Sequence, residues 1–395
     1  MNINFGNRRL VGQSRAKKQI SKILASKRIG HAYLLSGANG CGKMAFALAL
    51  AEAINGIDHL SELGEFKSSK YSSWFTHPDI HVYIPKPTSI DVSELRSRLE
   101  LLSIDPYEVI NFNQRPSLDK ESSSKNLQSF YPIDYFRDEI RPLARLRPNE
   151  GNRVIIILSQ VETMRKETAN AFLKLLEEPT DRLMFILTTS SYEHLLSTIT
   201  SRCQHIPLAT LTTEDIEHGL VAIDGLSKEN ASYLAKISNG NYANTRFYDI
   251  EKLKSDRKSV VNFLRFSFSQ DAQSLSKITQ DWQSSLNIES FIALTNLMEM
   301  YLRDLMVYKE TENPQLLTNV DQLDSISKFI ATLTNARLED MINELNACRP
   351  LLRQNVSPKL IFTVLGLRFS NLMRGLDPFI SSSDSWKHLP ALTTP

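Results

Sequence analysis

Cysteine is scarce in this sequence, and long apolar runs are absent from it. The 395 residues include 3 cysteines, Cys41, Cys203 and Cys348, whose separations fit neither a disulfide framework nor a zinc finger. No apolar run approaches the roughly 18 residues that a membrane helix needs, and the opening MNINFGNRRL lacks the apolar core of a secretory signal. We therefore expect a cytoplasmic protein of a reducing compartment, with no membrane partner.

Acidic residues are missing from the first 30 positions. The same stretch carries eight basic residues, which are Arg8, Arg9, Arg15, Lys17, Lys18, Lys22, Lys27 and Arg28. Such an imbalance can indicate an anionic partner. It fits a solvated helix face equally well, because Ala16, Ile20 and Leu24 recur at helical spacing with lysines between them. The composition leaves both interpretations open.

The pattern of apolar residues predicts an α/β fold. Buried strands are indicated by five short runs rich in branched side chains: AYLLS, DIHVYI, RVIIIL, LMFILTT and HIPL. Helical periodicity separates them, first over Ser14–Lys27, where Ser14 is the predicted N-cap and Gly30 the predicted terminator. Because strands alternate with helices, we expect a parallel sheet with right-handed crossovers.

The character of the chain changes after Pro207, since the remaining segments are helical. We predict an α/β domain over residues 1–209, a small helical domain over 210–250 and an all-α domain with a polar tail over 251–395. The polar, serine-rich stretch QRPSLDKESSSKNLQSF predicts an insertion at about 107–132. The last clear helix begins at Pro358 after the cap Ser357, and we expect its Gly366 to be exposed.

The stretch GANGCGKM has most of a phosphate-binding loop, with a strand before it and a helix after it. Gly37, Gly42 and Lys43 fit the pattern G-x-x-x-x-G-K-[ST], but Met44 replaces the final hydroxyl residue. Together with Gly40, these are the predicted nucleotide-binding residues. Cys41 precedes a helix N-terminus, so we expect a depressed pKa for its thiol.

Two magnesium contacts are missing from this predicted site. A thioether such as that of Met44 is a poor ligand for a hard cation. The strand VIIIL ends in Ser159-Gln160 where an acidic residue is needed, and the first carboxylate, Glu162, lies beyond its end. We therefore expect no ATP hydrolysis by this chain, while binding of ATP or ADP without turnover stays open.

His77 and His81 do not share a helix, so we predict no metal site there.

Six segments, in order, resemble the delta-prime subunits of bacterial DNA polymerase III clamp loaders. They are VGQSRAKKQI, HAYLLSGANGCGK, HPDIHV, RPNEGNRVIII, TANAFLKLLEEP and STITSRC. Two later segments, YLRDLMVY and NVSPKLIFTVLGLRFS, resemble the C-terminal helices of that family. The resemblance implies an AAA+ P-loop domain, followed by a helical lid and an all-α collar that mediates oligomerisation.

The resemblance also implies a role and partners. It predicts an interaction subunit that works with motor (gamma/tau) and delta subunits to load the sliding clamp at primed DNA. Arg202, in the Ser-Arg-Cys triplet, would reach the ATP of a neighbouring motor subunit, although alone it could simply cap its helix. Asn244 or Arg246 would stand where relatives often place a nucleotide-sensing arginine. No zinc is expected, because the segment after the P-loop helix has no cysteine.

Two other functions compete with this interpretation. The chain could be an ATP-hydrolysing motor subunit of the same ring, against which Met44, Ser159 and Gln160 argue. It could also be a P-loop regulatory switch unrelated to replication, which would leave the Ser-Arg-Cys triplet unexplained.

Overall fold

The protein forms two compact units, Met1–Phe247 and Tyr248–Pro395. The structure is a computed structural model that describes residues 5–6, 8–63, 73–88, 90, 92–112, 115, 118, 129–180, 182–286, 288–352, 354 and 356–378. Most of the predicted insertion and nearly all of the polar tail lie outside these residues. The predicted boundaries at 209 and 250 stay predictions.

One sheet of five parallel strands organises the described part of the first unit. The strands are β1 (Ala32–Ser36), β2 (Ile80–Tyr83), β3 (Val154–Leu158), β4 (Leu183–Thr189) and β5 (Gln204–Pro207). Their order in the sheet is β2-β3-β4-β1-β5, with all pairs parallel. Every residue of β1, β3 and β4 is buried, as expected for strands covered on both faces. The predicted α/β class is confirmed.

Helices surround this sheet. In the described residues of the first unit they are α1 (Ser14–Ser26), α2 (Lys43–Asn55), α3 (Val92–Ile104), α4 (Ile133–Tyr135), α5 (Arg141–Leu143), α6 (Lys166–Glu177), α7 (Ser197–Thr200), α8 (Thr213–Ala222) and α9 (Lys228–Ile237). Helix α6 packs on the sheet through its apolar stripe. Phe172 of this stripe lies edge-on to Phe185 of β4, with the ring centroids 5.0 Å apart.

The ends of α1 differ from the prediction. Its N-cap is Gln13, in a left-handed conformation with φ 58°, and its C-cap is Lys27 with φ 56°, so neither Ser14 nor Gly30 has the predicted role. The reason is tertiary: the Gln13 amide donates to the carbonyl of Ala209 at 2.7 Å and accepts from its N–H at 3.0 Å. This pair of bonds fixes where the chain enters the helix.

Every secondary-structure element in the described residues of the second unit is helical. Its helices are α10 (Ile250–Ser269), α11 (Ala272–Ser285), α12 (Ile288–Thr311), α13 (Leu323–Thr332), α14 (Leu338–Leu352) and α15 (Pro358–Met373). Pro358 begins α15 after Ser357, as predicted. Gly366, however, is buried, because a Cβ there would lie 2.9 Å from a methyl group of Leu275. No helix in the described ranges is long and apolar enough to cross a membrane.

Candidate functional site

The carboxyl ends of the central strands place the predicted nucleotide residues at one edge of the sheet. The glycine loop follows β1, whose last residue, Ser36, is paired with Thr189 of β4. Ser159 and Gln160 follow the neighbouring β3 at the same edge. Ligands of parallel α/β sheets usually bind outside these strand ends. The sequence-predicted residues Gly37, Gly40, Gly42 and Lys43 are therefore brought together with Ser159 and Gln160.

Other parts of the chain press closely on the glycine loop. Gly40 and Gly42 have φ angles of +73° and +91°, which glycine adopts without strain. A Cβ on Gly40 would lie 1.6 Å from Oδ1 of Asn241, and one on Gly42 would lie 2.9 Å from the ring of Tyr107. Both glycines are thus required by packing against the chain itself.

Lys43 binds its own loop. Its Nζ donates to the carbonyl oxygens of Gly37 and Ala38, each at 2.8 Å. Burial lowers the pKa of this lysine, an effect that Cys41 and Glu162 oppose by charge. The ammonium group, which a P-loop normally presents to phosphates, is already hydrogen-bonded to backbone oxygens.

The expectation for Cys41 is wrong. Desolvation raises the pKa of its thiol, and the smaller opposing effects of the Lys43 charge and of backbone hydrogen bonds do not reverse this. The side chain is completely buried. A cysteine at a helix N-terminus acquires a low pKa only where stabilisation of the thiolate exceeds its desolvation, and here burial outweighs the charge of Lys43.

Neither position expected to hold magnesium offers a charged ligand. Met44 and Gln160 line the cleft, and Gln160 has a left-handed backbone with φ 50°. Ser159 is held by Tyr131, whose hydroxyl donates to the Ser159 carbonyl at 2.7 Å. The nearest following carboxylate, Glu162, accepts from the hydroxyl of Ser190 at 2.7 Å. The three side chains at the expected magnesium positions, Met44, Ser159 and Gln160, carry no anionic oxygen and therefore do not fit a magnesium–nucleotide complex.

Tyr107 covers the loop from the other side. Its ring packs on Gly42, and its hydroxyl accepts a hydrogen bond from the N–H of Val11 at 2.7 Å. The remaining cleft has a volume of about 110 Å³, well below the roughly 300–1,000 Å³ of typical small-molecule pockets. No local pattern in the sequence indicates this contact, since Tyr107 and Gly42 are far apart in the chain.

The candidate sensor residues are engaged in structural contacts. Nε of Arg246 donates to Asp105 at 2.8 Å and Nη2 donates to Asp224 at 3.2 Å, while the guanidinium lies 4.2 Å from the Tyr242 ring centroid. Asp105 raises the pKa of Arg246 by hydrogen bonding and charge, against desolvation. The backbone N–H of Asn244 donates to Asn241 at 3.1 Å. Arg246 thus ties the segment after α3 to the helices that follow β5.

Arg202 lies just after α7 and is partly exposed. Nη2 of its guanidinium pairs with Glu177 Oε1 at 2.8 Å, and Nη1 donates to the carbonyl of Thr198 at 3.0 Å and to Ser201 Oγ at 3.4 Å. The side chain is 36% exposed. The helix-capping contact foreseen for this arginine is present, and Glu177 is a partner that the sequence did not reveal.

Metal-ligating side chains are not clustered in the part of the chain that the structure describes. No group of three or more His, Cys, Asp or Glu residues there could hold a metal ion. Buried His77 accepts at Nδ1 from the N–H of Asp79 at 3.0 Å, which fixes its ring in a turn before β2. Part of the segment after α2 lies outside the described residues.

A parallel sheet in the order β2-β3-β4-β1-β5, with a glycine-rich loop between β1 and α2, defines an α/β protein of the P-loop class. The family described as "DNA polymerase III, delta subunit" matches residues 12–113 and 122–212, and the family of its C-terminal domain matches residues 251–371. The chain belongs to this DNA polymerase III family, and the predicted resemblance is confirmed. The two matched ranges before residue 212 are separated inside the predicted insertion.

Two sequence relatives agree with this assignment. DNA polymerase III subunit delta-prime of Bacillus subtilis is 24% identical over 348 residues, which are 87% of this chain and 92% of that protein. The gamma/tau subunit of Mycobacterium tuberculosis is 28% identical over 229 residues, 57% of this chain but 32% of that protein. A solved gamma-subunit-related protein of Thermotoga maritima is 16% identical, with a TM-score of 0.38 over 90% of this chain and 100% of that one.

Proposed function

We propose that this chain is a delta-prime-type clamp-loader subunit that does not hydrolyse ATP and acts on a neighbour's ATP through Arg202. The observation that carries the proposal is the chemistry of its own cleft, where Met44, Ser159 and Gln160 stand at the positions that should hold magnesium. Without those contacts the negative charge that develops in phosphoryl transfer is not neutralised.

The packing of the cleft supports the same proposal. Lys43 is bonded to the loop carbonyls, and Tyr107 covers Gly42. A nucleotide would have to displace both side chains before its phosphates reached the loop amides. We infer that the chain contains no nucleotide that takes part in its function, and that it contains no zinc.

The position of Arg202 supports action on another subunit. Its guanidinium is partly exposed at the end of a four-residue helix, and none of its hydrogen bonds within the described residues is to the glycine loop. A planar guanidinium can donate two parallel hydrogen bonds to phosphate oxygens. In well-studied cases an arginine supplied in this way accelerates hydrolysis by about 10³ to 10⁵.

The proposed partners follow from the family. We propose that the chain assembles with gamma/tau and delta subunits in the cytoplasm, and that it meets the sliding clamp and primed DNA as part of that assembly. The similarity to both delta-prime and gamma/tau relatives supports a place beside the motor subunits in one ring.

Two ATPase measurements test the proposal. The purified chain alone should show no ATP turnover above background, and steady hydrolysis would refute the first half of the proposal. Added to its cognate gamma/tau-type subunits, with delta subunit, clamp and primed DNA, the chain should stimulate their ATPase. We expect Arg202→Ala to remove most of that stimulation, at least about tenfold, because the phosphoryl charge loses its cation.

A matched control separates this role from general damage. Arg96 is another exposed arginine that pairs with a glutamate, Glu100, at 3.1 Å, and Arg96→Ala should leave the stimulation unchanged. Arg202→Lys should restore little, since a lysine cannot donate in parallel. If the Arg202→Ala chain assembles normally and stimulates as well as the unsubstituted chain, Arg202 does not act on the neighbour's nucleotide.

A further inference from the structure

An acidic side chain, Glu177, lies at the C-terminal end of α6, where the helix dipole disfavours negative charge. Glu177 is the last residue of this helix, and Glu178 is its C-cap. The C-terminal end of a helix carries partial negative charge, so an acidic side chain there is disfavoured and a cation beside it is favoured. The sequence nevertheless has two consecutive acidic residues at this point.

The structure supplies a cation for one of them. Glu177 Oε1 is 2.8 Å from Nη2 of Arg202, while Glu178, which is exposed, has no ion-pair partner among the described residues. Arg202 is therefore held from two sides, by α6 through Glu177 and by α7 through the carbonyl of Thr198 at 3.0 Å. Contacts at both terminal nitrogens fix the plane of the guanidinium as well as its position.

This arrangement leaves donors for a ligand. A guanidinium has five N–H groups. The contacts to Glu177, Thr198 and Ser201 use no more than one on Nη2 and two on Nη1. The Nε–H and at least one N–H of Nη2 have no acceptor within the described residues. With Glu177 taking the Nη2 N–H that points away from Nε, the other Nη2 N–H is parallel to the Nε–H, and the two can donate to two oxygens of one phosphate.

We propose that Glu177 is a positioning residue for Arg202. Its carboxylate holds the guanidinium so that Nε–H and one N–H of Nη2 face the phosphoryl group of the adjacent subunit's ATP. This inference rests on the proposed function. Because a long, exposed arginine otherwise samples many rotamers, holding it in one of them raises the fraction of time in which it is ready to donate.

The expected effect is small and measurable. Both side chains are more than a third exposed, at 36% for Arg202 and 49% for Glu177. Exposed ion pairs shift an equilibrium by about two- to fivefold. We therefore expect Glu177→Gln to lower the maximal stimulation of the motor ATPase by about two- to fivefold, far less than loss of Arg202 itself.

The experiment uses the reconstituted complex with matched variants. Glu178→Gln changes the same charge one residue away and should have no effect, while Glu177→Asp should recover part of the loss. The chain is titrated against fixed motor subunits, so that maximal stimulation is separated from the concentration giving half of it. We expect the maximum to fall and the half-saturating concentration to stay constant. Circular dichroism confirms that each variant is folded.

Combining Glu177→Gln with Arg202→Ala tests the positioning role separately from the proposed function. If Glu177 acts only through Arg202, Glu177→Gln changes nothing further in that background. An equal loss there, an equal effect of Glu178→Gln, no effect of Glu177→Gln, or an increase in stimulation would each overturn the positioning role. Failure of Arg202→Ala itself to reduce stimulation would instead reject the proposed function.

Discussion

Burial controls the chemistry of the three thiols in this protein. Desolvation raises the pKa of Cys41, and it raises the pKa values of Cys203 and Cys348 to about 12. A thiol with a raised pKa stays protonated in the folded state. Its contribution to the free energy of unfolding is therefore fully present below the pKa of the unfolded thiol, near 8.5. That contribution is lost as the pH rises through the folded value.

We expect the native protein to react slowly with a thiol reagent. At pH 8 less than one thiol per chain should react with Ellman's reagent within minutes, because the reactive thiolate is scarce and because Cys41 and Cys348 are buried. In guanidinium chloride all three should react at once. Mass spectrometry assigns the labelled residue, and rapid modification of native Cys41 would show that its thiol is not buried as the structure has it.

For single residues, the sequence predicts which residues form the loop better than it predicts the surroundings of their side chains. The glycines and Lys43 could be recognised from their spacing, because the loop is a local structure. The wrong expectation for Cys41 and the unseen partner of Arg202 share one cause. Burial and the contact with Glu177 depend on segments distant in the chain, and no single-sequence pattern reports them.

Segments from distant parts of the first unit cover the cleft beside the glycine loop. The segment that follows α3 brings Tyr107 onto Gly42, and Arg246 holds that segment through Asp105. Tyr107 and Tyr242 also pack edge to face, with ring centroids 4.8 Å apart. The cleft is therefore covered by elements that are joined to one another by an ion pair and an aromatic contact.

We expect Tyr107→Ala to admit nucleotide. Removing the ring opens space over the glycine loop, so the affinity for a fluorescent ADP analogue should rise at least about tenfold, measured by anisotropy. Turnover should still be absent, because Met44, Ser159 and Gln160 are unchanged. Tyr107→Phe is the matched control, since it keeps the ring and loses only the hydrogen bond from Val11.

Either of two outcomes would contradict this interpretation. Equal nucleotide affinity in the Tyr107→Ala and Tyr107→Phe variants would mean that the ring does not block the cleft. Tight nucleotide binding by the unsubstituted chain would mean that the cleft opens readily. Thermal denaturation of both variants shows whether the fold has survived the substitution.

The strands and most helices could be predicted from the sequence, whereas the contacts between them could not. The five strands were recognisable because runs of branched apolar residues are a local signal. The stretch SYEHLLSTITS was harder, since the structure divides it into a short 3₁₀ turn, Tyr192–His194, and α7. Gly366 was expected at the surface, but its neighbour Leu275 lies on another helix.

The whole molecule consists of two units, each with its own core. In the second unit, Phe263, Trp282 and Phe362 form an aromatic centre, with ring centroids of adjacent pairs 5.3 to 6.1 Å apart. A buried ion pair, Arg368 with Glu344 at 2.6 Å, lies within the same unit. Cores of this kind are typical of regions that fold independently.

We expect residues 248–395 to fold when expressed alone. The fragment should give a helical circular dichroism spectrum and a cooperative thermal transition, because its apolar side chains are buried among themselves. As a control, Trp282→Ala should lower the transition temperature by removing part of the aromatic centre. A fragment that melts without a transition, or aggregates at low concentration, would show that this unit needs the rest of the chain.

The hydrogen bonds of Lys43 to Gly37 and Ala38 have one further consequence. A loop whose own carbonyl oxygens accept the hydrogen bonds of its ammonium group does not depend on an outside anion to become ordered. The shape of this region should then be the same in a starved cell and in a growing one, whatever the ratio of ATP to ADP. If the chain works beside ATP-hydrolysing subunits, as proposed, this loop would keep one shape while theirs respond to the nucleotide supply.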